Sequence, residues 1–106
     1  MVDKTPLHIE IDSSDATTVQ VTLSGDLDFD TASELASVSL GEGFERVDVD
    51  LSGVEFIDSS GIAALVRLYQ RAAAEDAVLR VVAVTPYLRS LLRMTALDRL
   101  FSLPPS

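Results

Sequence analysis

Between Val47 and Tyr69 the hydrophobic period changes once, from two residues to about 3.6, and the change falls on Asp58-Ser59-Ser60-Gly61. Val47-Asp48-Val49-Asp50-Leu51 alternates and reads as a strand, whereas Ile62, Leu65, Val66 and Tyr69 recur at helical spacing. A helix must therefore start where a strand ends. Asp and Ser suit such a start, because their oxygens accept from the unpaired N–H groups of the first turn, and Gly61 permits close packing. The same helix end also suits an anion, including a phosphate carried by a serine. On residue type alone two readings of Ser59 stay open: a helix cap and a modification site.

The two periods repeat on either side. Leu7-His8-Ile9-Glu10-Ile11 and Thr18-Val19-Gln20-Val21-Thr22-Leu23 alternate around the turn residues Asp12-Ser13-Ser14-Asp15. They predict a hairpin with a loop of about four or five residues. Ser24-Gly25-Asp26-Leu27-Asp28 ends the second strand. Thr31-Ala32-Ser33-Glu34 has capping-box spacing and opens a helix with Ala32, Leu35 and Val38 or Leu40 inward, stopped by Gly41 and Gly43. The next helix is predicted from about Ser59 to Glu75, with Ala73 completing its apolar stripe and Arg67, Gln70 and Arg71 on the wet side. Val78 to Val84 forms the last strand. Thr85 caps and Pro86 starts a third helix with Leu88, Leu91 and Leu92 inward, and Leu97, Leu100, Phe101 and Leu103 tie down the tail.

The order β-β-α-β-α-β-α predicts an α/β fold. Its centre is a small mixed four-stranded sheet, an N-terminal β-hairpin followed by right-handed β-α units, with helices mainly on one face. One domain over residues 1–106, ordered over about 7–103, accommodates the whole chain, and no repeat or low-complexity linker interrupts it.

Composition removes several classes of function. Seventeen acidic against eight basic residues leave a charge of −9, which repels nucleic-acid and anionic membrane surfaces and favours a protein partner, or serves solubility alone. The chain has no cysteine and one histidine, His8, so disulfides, thiolate nucleophiles and transition-metal sites are not expected. Met1-Val2-Asp3-Lys4-Thr5-Pro6 lacks the apolar core of a signal peptide, and no run nears the ~18 apolar residues of a membrane span, so a cytoplasmic protein is expected. No phosphate loop, dinucleotide fingerprint or G-x-S-x-G elbow occurs, and His8 reads as a solvated strand residue. Asp26, Asp28 and Asp30 have a calcium loop's alternate spacing without its glycine and terminal glutamate, so they read as loop and cap residues. No catalytic residue, metal or cofactor is expected.

Gly25-Asp26-Leu27-Asp28, Leu51-Ser52-Gly53-Val54 and Phe56-Ile57-Asp58-Ser59-Ser60-Gly61, with the Thr85-Pro86 helix start and the Leu97-Asp98-Arg99-Leu100-Phe101 tail, together resemble the STAS domain family. The resemblance runs from about Leu7 to Leu103 and is to the bacterial anti-sigma-factor antagonist group. It implies that Ser59 is phosphorylated by an anti-sigma factor that is also a serine kinase. The unmodified form would bind that kinase and release its sigma factor. Phosphorylation would weaken the complex, and a PP2C-type phosphatase would restore it. One departure is Ala96, where many relatives carry glycine.

A phosphate adds roughly −1.5 to −2 charge. The helix start tolerates it, so its expected action is at the partner surface, through bulk, desolvation and repulsion from Asp26, Asp28 and Asp58 where those loops share one end of the sheet. A loss of ~3 kcal/mol in binding exceeds a hundredfold in affinity. Ser60 and Gly61 belong to the same partner-facing turn, and Ala63 and Ala64 would leave a low, flat surface beside it, unless they serve helix propensity alone. The alternative within the family is a STAS scaffold or a subunit of a stress-sensing or lipid-transport complex, without a phospho-switch.

Overall fold

Strands β1 (His8–Asp12) and β2 (Thr18–Leu27) pair antiparallel, with Ile9 opposite Leu23 and Ile11 opposite Val21, in a computed structural model that describes residues 5–105. Of the stretch Met1–Pro6, read above for a signal peptide's apolar core, Met1–Lys4 lies outside the described residues. In the hairpin loop the Asp12 carboxylate accepts from the Ser14 N–H and the Asp15 carboxylate from the Thr17 N–H, each at 2.9 Å. Those backbone donors favour the ionised form and hold both carboxyls below the usual aspartate range.

Strand β3 (Arg46–Ile57) runs parallel to β2 on one side and to β4 (Val78–Ala83) on the other, giving the order β1-β2-β3-β4. Val19, Val21, Leu23, Val47, Val49, Leu51, Leu79 and Val81 bury one face of this sheet. Asp48 points to the other face, as the alternation requires, yet it is buried there beneath the guanidinium groups of Arg46 and Arg80, 3.3 and 3.4 Å away. His8 is on that face too, exposed and 3.2 Å from Glu10.

Strand β3 extends beyond Leu51, where the readable alternation ends, because its register against β2 shifts twice in that stretch. Each shift adds a residue and turns side chains out of step with the pleat. The Asp50 carboxylate spans the first irregularity, accepting from the Ser52 N–H at 2.8 Å and its hydroxyl at 2.6 Å.

The first helix, α1 (Ala32–Ala36), is shorter than the predicted run to Leu40. Its end falls at Ser37, whose hydroxyl donates back to the Ser33 carbonyl at 2.8 Å. Arg71 then takes the carbonyls that a longer helix would have used, donating to Ala36 O at 3.3 Å and Val38 O at 2.6 Å. Arg71 is therefore not simply a wet-side residue. The capping box also fails to form. Thr31 Oγ1 makes no cap bond and instead donates to Asp26 O at 2.8 Å, so Glu34 has no reciprocal partner to complete.

The second helix, α2 (Ser59–Ala74), buries Gly61, Ala64, Leu65, Leu68 and Ala72, with Ile62, Val66 and Tyr69 packed at the flank. Ala73 is exposed, contrary to expectation. The third helix, α3 (Pro86–Met94), has the predicted start: Thr85 Oγ1 accepts from the Leu88 N–H at 3.2 Å, and Leu88 and Leu92 are buried. In the tail, Phe101 is buried edge-on to Tyr69, with ring centroids 6.2 Å apart. The Phe101 carbonyl accepts from the Val81 N–H at 3.0 Å and so covers part of the β4 edge.

Candidate functional site

Parallel pairing of β2 with β3 brings Leu27 opposite Ile57. The loops that follow these strands, β2 to α1 and β3 to α2, therefore meet at one end of the sheet. The expected acidic repulsion requires this juxtaposition. Asp58 joins the two loops. Its extended backbone makes it the N-cap of α2, and its Oδ1 accepts from the Gly61 N–H at 3.0 Å. Its Oδ2 accepts from the Phe29 N–H of the neighbouring loop at 3.1 Å. One carboxylate thus holds the helix start and the adjacent loop together.

Ser59 follows at the first helical position and is exposed; Ser60 is half-buried. Gly61 is buried, and a Cβ there would collide with the Leu27 carbonyl oxygen. The glycine lets the first turn of α2 press against the end of β2, which leaves Ser59 as the outward residue of the turn.

Three of the expected partner-facing residues do not face outward. Asp28 is 3% exposed, with its Oδ1 accepting from the Asp30 N–H at 3.0 Å and its own N–H bonded to Thr31 Oγ1 at 2.9 Å. It shapes the loop rather than the surface. Ala64 is 1% exposed, because it lies on the side of α2 turned to the sheet. Gly61 is buried because the first turn of α2 presses against the Leu27 carbonyl. Asp26 is half-buried and tied to Thr5, whose N–H donates to Asp26 Oδ2 at 3.2 Å. The residues beside Ser59 that reach solvent are Asp58 and Ser60 in part and the exposed Ala63.

Other residues complete this end of the molecule. Phe29 is 78% exposed although it is a large apolar side chain. With Ala32, Ala36, Ser60, Ala63 and Arg67 it lines a groove of about 350 Å³ between α1 and α2. Phe56 and Tyr87 are also exposed apolar groups, and the Tyr87 hydroxyl donates to Ile57 O at 3.4 Å, pinning the first turn of α3 beside the end of β3. The only sign of Phe29 in the sequence is an aromatic residue set between two aspartates, in a loop that needs no hydrophobe. Arg67 carries no signal there beyond its position on the wet side of the helix.

The chemistry presented here is that of an exposed hydroxyl at a helix start. Both Asp58 oxygens already accept backbone N–H groups, and the His8 ring is paired with Glu10 on β1. Among the described residues no cluster of three or more histidines and carboxylates is placed to hold a metal ion. No helix among them is long and apolar enough to cross a membrane.

Residues 9–104 match a family model described as the Mlab STAS domain. No functionally curated protein matches the chain. Among solved structures, the chain is similar to an anti-sigma factor antagonist from Mycobacterium paratuberculosis, with 27% identity over 95% of this chain and 87% of the other and a TM-score of 0.76. It is also similar to the anti-sigma factor antagonist SpoIIAA in its unphosphorylated form, at 14% identity, 93% and 90% coverage and a TM-score of 0.73. The Bacillus cell-fate determinant SpoIIAA in its phosphorylated form follows at 17% identity, 93% coverage of each chain and a TM-score of 0.57. At those lower identities SpoIIAA speaks for the fold alone. The match to the family model covers nearly the whole chain and agrees with the order of strands and helices, so the chain belongs to the STAS domain family.

Proposed function

We propose that the protein is an anti-sigma-factor antagonist, a binding module and kinase substrate rather than an enzyme, whose docking is governed by phosphorylation of Ser59. The observation that carries this reading is an exposed hydroxyl at the first position of α2, held outward by Asp58 and Gly61 beside the exposed Phe29. A hydroxyl so placed is open to a kinase. A partner lying over the turn would enclose it. In the transfer, Ser59 Oγ forms the new P–O bond to the γ-phosphorus of ATP, ADP departs, and the hydroxyl proton passes to a base on the kinase. The partner is the anti-sigma factor that carries this kinase activity, and a PP2C-type phosphatase reverses the modification by hydrolysis.

The corrected site alters how the phosphate acts. Asp28 is buried and Asp26 is engaged with Thr5, so Asp58 is the acid that stands next to the phosphate. Repulsion is therefore weaker than three acids would give, and enclosure of a doubly charged group against an apolar partner surface outweighs it. The test is a pull-down from lysate of the source organism with wild type, Ser59→Ala and Ser59→Asp, and mass spectrometry of Ser59 after incubation with the captured kinase and ATP. A kinase retained by the first two proteins and lost by the third is the expected result. Equal retention by all three sinks the switch.

A second reading has one observation in its favour: the family model that matches is described by a Mlab protein rather than by an antagonist. The domain would then be a constitutive subunit of a lipid-transport or other large assembly. Co-purification with a transport ATPase, unaffected by Ser59→Ala or Ser59→Asp, distinguishes it.

A further inference from the structure

Asp58 does more than cap a helix. A single carboxylate can satisfy one N–H of the first turn with one oxygen, which is all that capping requires. Here the second oxygen reaches across to the neighbouring loop and accepts from the Phe29 N–H at 3.1 Å, while the first holds Gly61 at 3.0 Å. The rest of that loop is held from within, by Thr31 Oγ1 on Asp26 O and by Asp28 Oδ1 on the Asp30 N–H. The Phe29 side chain is 78% exposed, so packing contributes little to its position. The backbone bond to Asp58 is thus a principal restraint on where the phenyl ring stands.

We propose that Asp58 is a positioning residue that couples the covalent state of Ser59 to the placement of Phe29. This rests on the reading of Ser59 as a phosphorylation site. A phosphate on Ser59 is one residue from Asp58 and at the same helix end. It competes for the first-turn N–H groups that Asp58 now uses, and its charge repels the carboxylate. Two interactions respond unequally. The Gly61 N–H stays within reach of an anion in either case, because the carboxylate or the phosphate can accept it. The Phe29 N–H has no such substitute, since it belongs to the other loop. Phosphorylation therefore releases the Phe29 amide and leaves the helix capped. The change is local, one N–H and the aromatic ring attached to its residue, and it would remove an apolar anchor from the docking surface at the moment that charge is added to it.

The coupling is testable on the isolated protein, without kinase or partner. Phosphoserine is installed at position 59 by co-translational incorporation, and amide hydrogen exchange is followed by NMR in wild type, phosphorylated protein, Asp58→Asn and Asp58→Ser. The rates at Phe29 and Gly61 are each expressed as a ratio to the same amide in wild type, and the core amide Val49 reports global stability separately from these local openings. Expected is an increase of about tenfold or more in the Phe29 ratio on phosphorylation and in Asp58→Ser, whose shorter side chain caps Gly61 without spanning to the loop, with the Gly61 ratio changed by less than about threefold. Asp58→Asn keeps one oxygen acceptor and should raise one ratio, not both. An unchanged Phe29 ratio in the phosphorylated protein overturns the coupling, as does an equal rise at Phe29 and Gly61. Because the phosphate is supplied directly, this result is independent of whether any kinase modifies Ser59. The coupling and the proposed function can fail separately.

Discussion

Gly61 stands so close to the Leu27 carbonyl oxygen that an added Cβ would collide with it, and would also approach Ile57 Cγ1 to 2.7 Å. A flexible side chain could swing away from such a contact, but Leu27 O belongs to the backbone of a buried strand end. Two effects oppose each other in Gly61→Ala. Alanine favours the helix by up to about 1 kcal/mol. Forced overpacking against a strand costs about 1–3 kcal/mol, and a fixed backbone atom puts this site at the upper end. The expected net loss is ~2 kcal/mol, read as a lower urea midpoint at unchanged slope. A variant as stable as wild type would mean that α2 does not press on β2 as described.

Arg71 supplies a second prediction. Its guanidinium joins α2 to the end of α1 by donating to two carbonyls, of which Val38 O at 2.6 Å is the shorter bond. Charged hydrogen bonds of this kind contribute about 1.5–3 kcal/mol, and removing the donor leaves half-buried carbonyls without it. Arg71→Ala should lose ~2 kcal/mol. Lysine has no fork to serve two acceptors, so Arg71→Lys should recover less than half of that. Full recovery by lysine would show that charge, not geometry, is what counts at this position.

The departure at Ala96 has a physical consequence. Helix α3 ends with Ala96 N–H on Arg93 O at 3.1 Å and Leu97 N–H on Leu92 O at 2.8 Å, the bond pair of a Schellman motif. That motif puts Ala96 in the left-handed region, at φ 60. An alanine there costs ~1 kcal/mol against glycine, part of which is offset by the greater freedom of glycine in the unfolded chain. Ala96→Gly should therefore stabilise by ~0.5–1 kcal/mol and raise Tm by about 2–8 °C in calorimetry. Asp76 ends α2 in the same conformation, at φ 56, and its glycine variant should gain less, because aspartate tolerates this region better than alanine.

What the chain disclosed of itself follows from which forces are local. The Thr85-Pro86 start of α3 needs only a hydroxyl and a fixed φ, and it is where the residues put it. The end of α1 depends on Arg71, far along the chain, and was not legible. In α2 the bulky residues Ile62, Val66 and Tyr69 draw the predicted stripe one position, about 100°, away from its centre. The true centre runs through Gly61, Ala64, Leu68 and Ala72, small residues for the most part that let the helix lie close to the sheet and carry little hydrophobic signal. That same displacement puts Ala64 on the expected docking surface. The outward position of Ser59 was legible because a cap motif fixes which of its residues points to solvent. The placement of Phe29 was not, since it depends on a bond from Asp58 that only the pairing of β2 with β3 creates.

Negative charge at residue 59 should leave the fold intact, and this separates a docking switch from an unfolding one. Ser59 is at the first position of α2, where free N–H groups and the helix dipole favour an anion. Ser59→Asp should therefore match wild type or exceed it by up to ~1 kcal/mol in urea denaturation. The same charge at the other end of the helix, in the exposed Ala74→Asp variant, meets unpaired carbonyls and should cost a comparable amount. Screening sharpens the contrast. Both differences should shrink as salt rises from about 10 mM to 1 M, because the Debye length falls from roughly 30 to 3 Å. If Ser59→Asp instead lost more than about 1 kcal/mol, release of a partner by that variant would reflect a damaged helix start, and the pull-down would no longer report on docking.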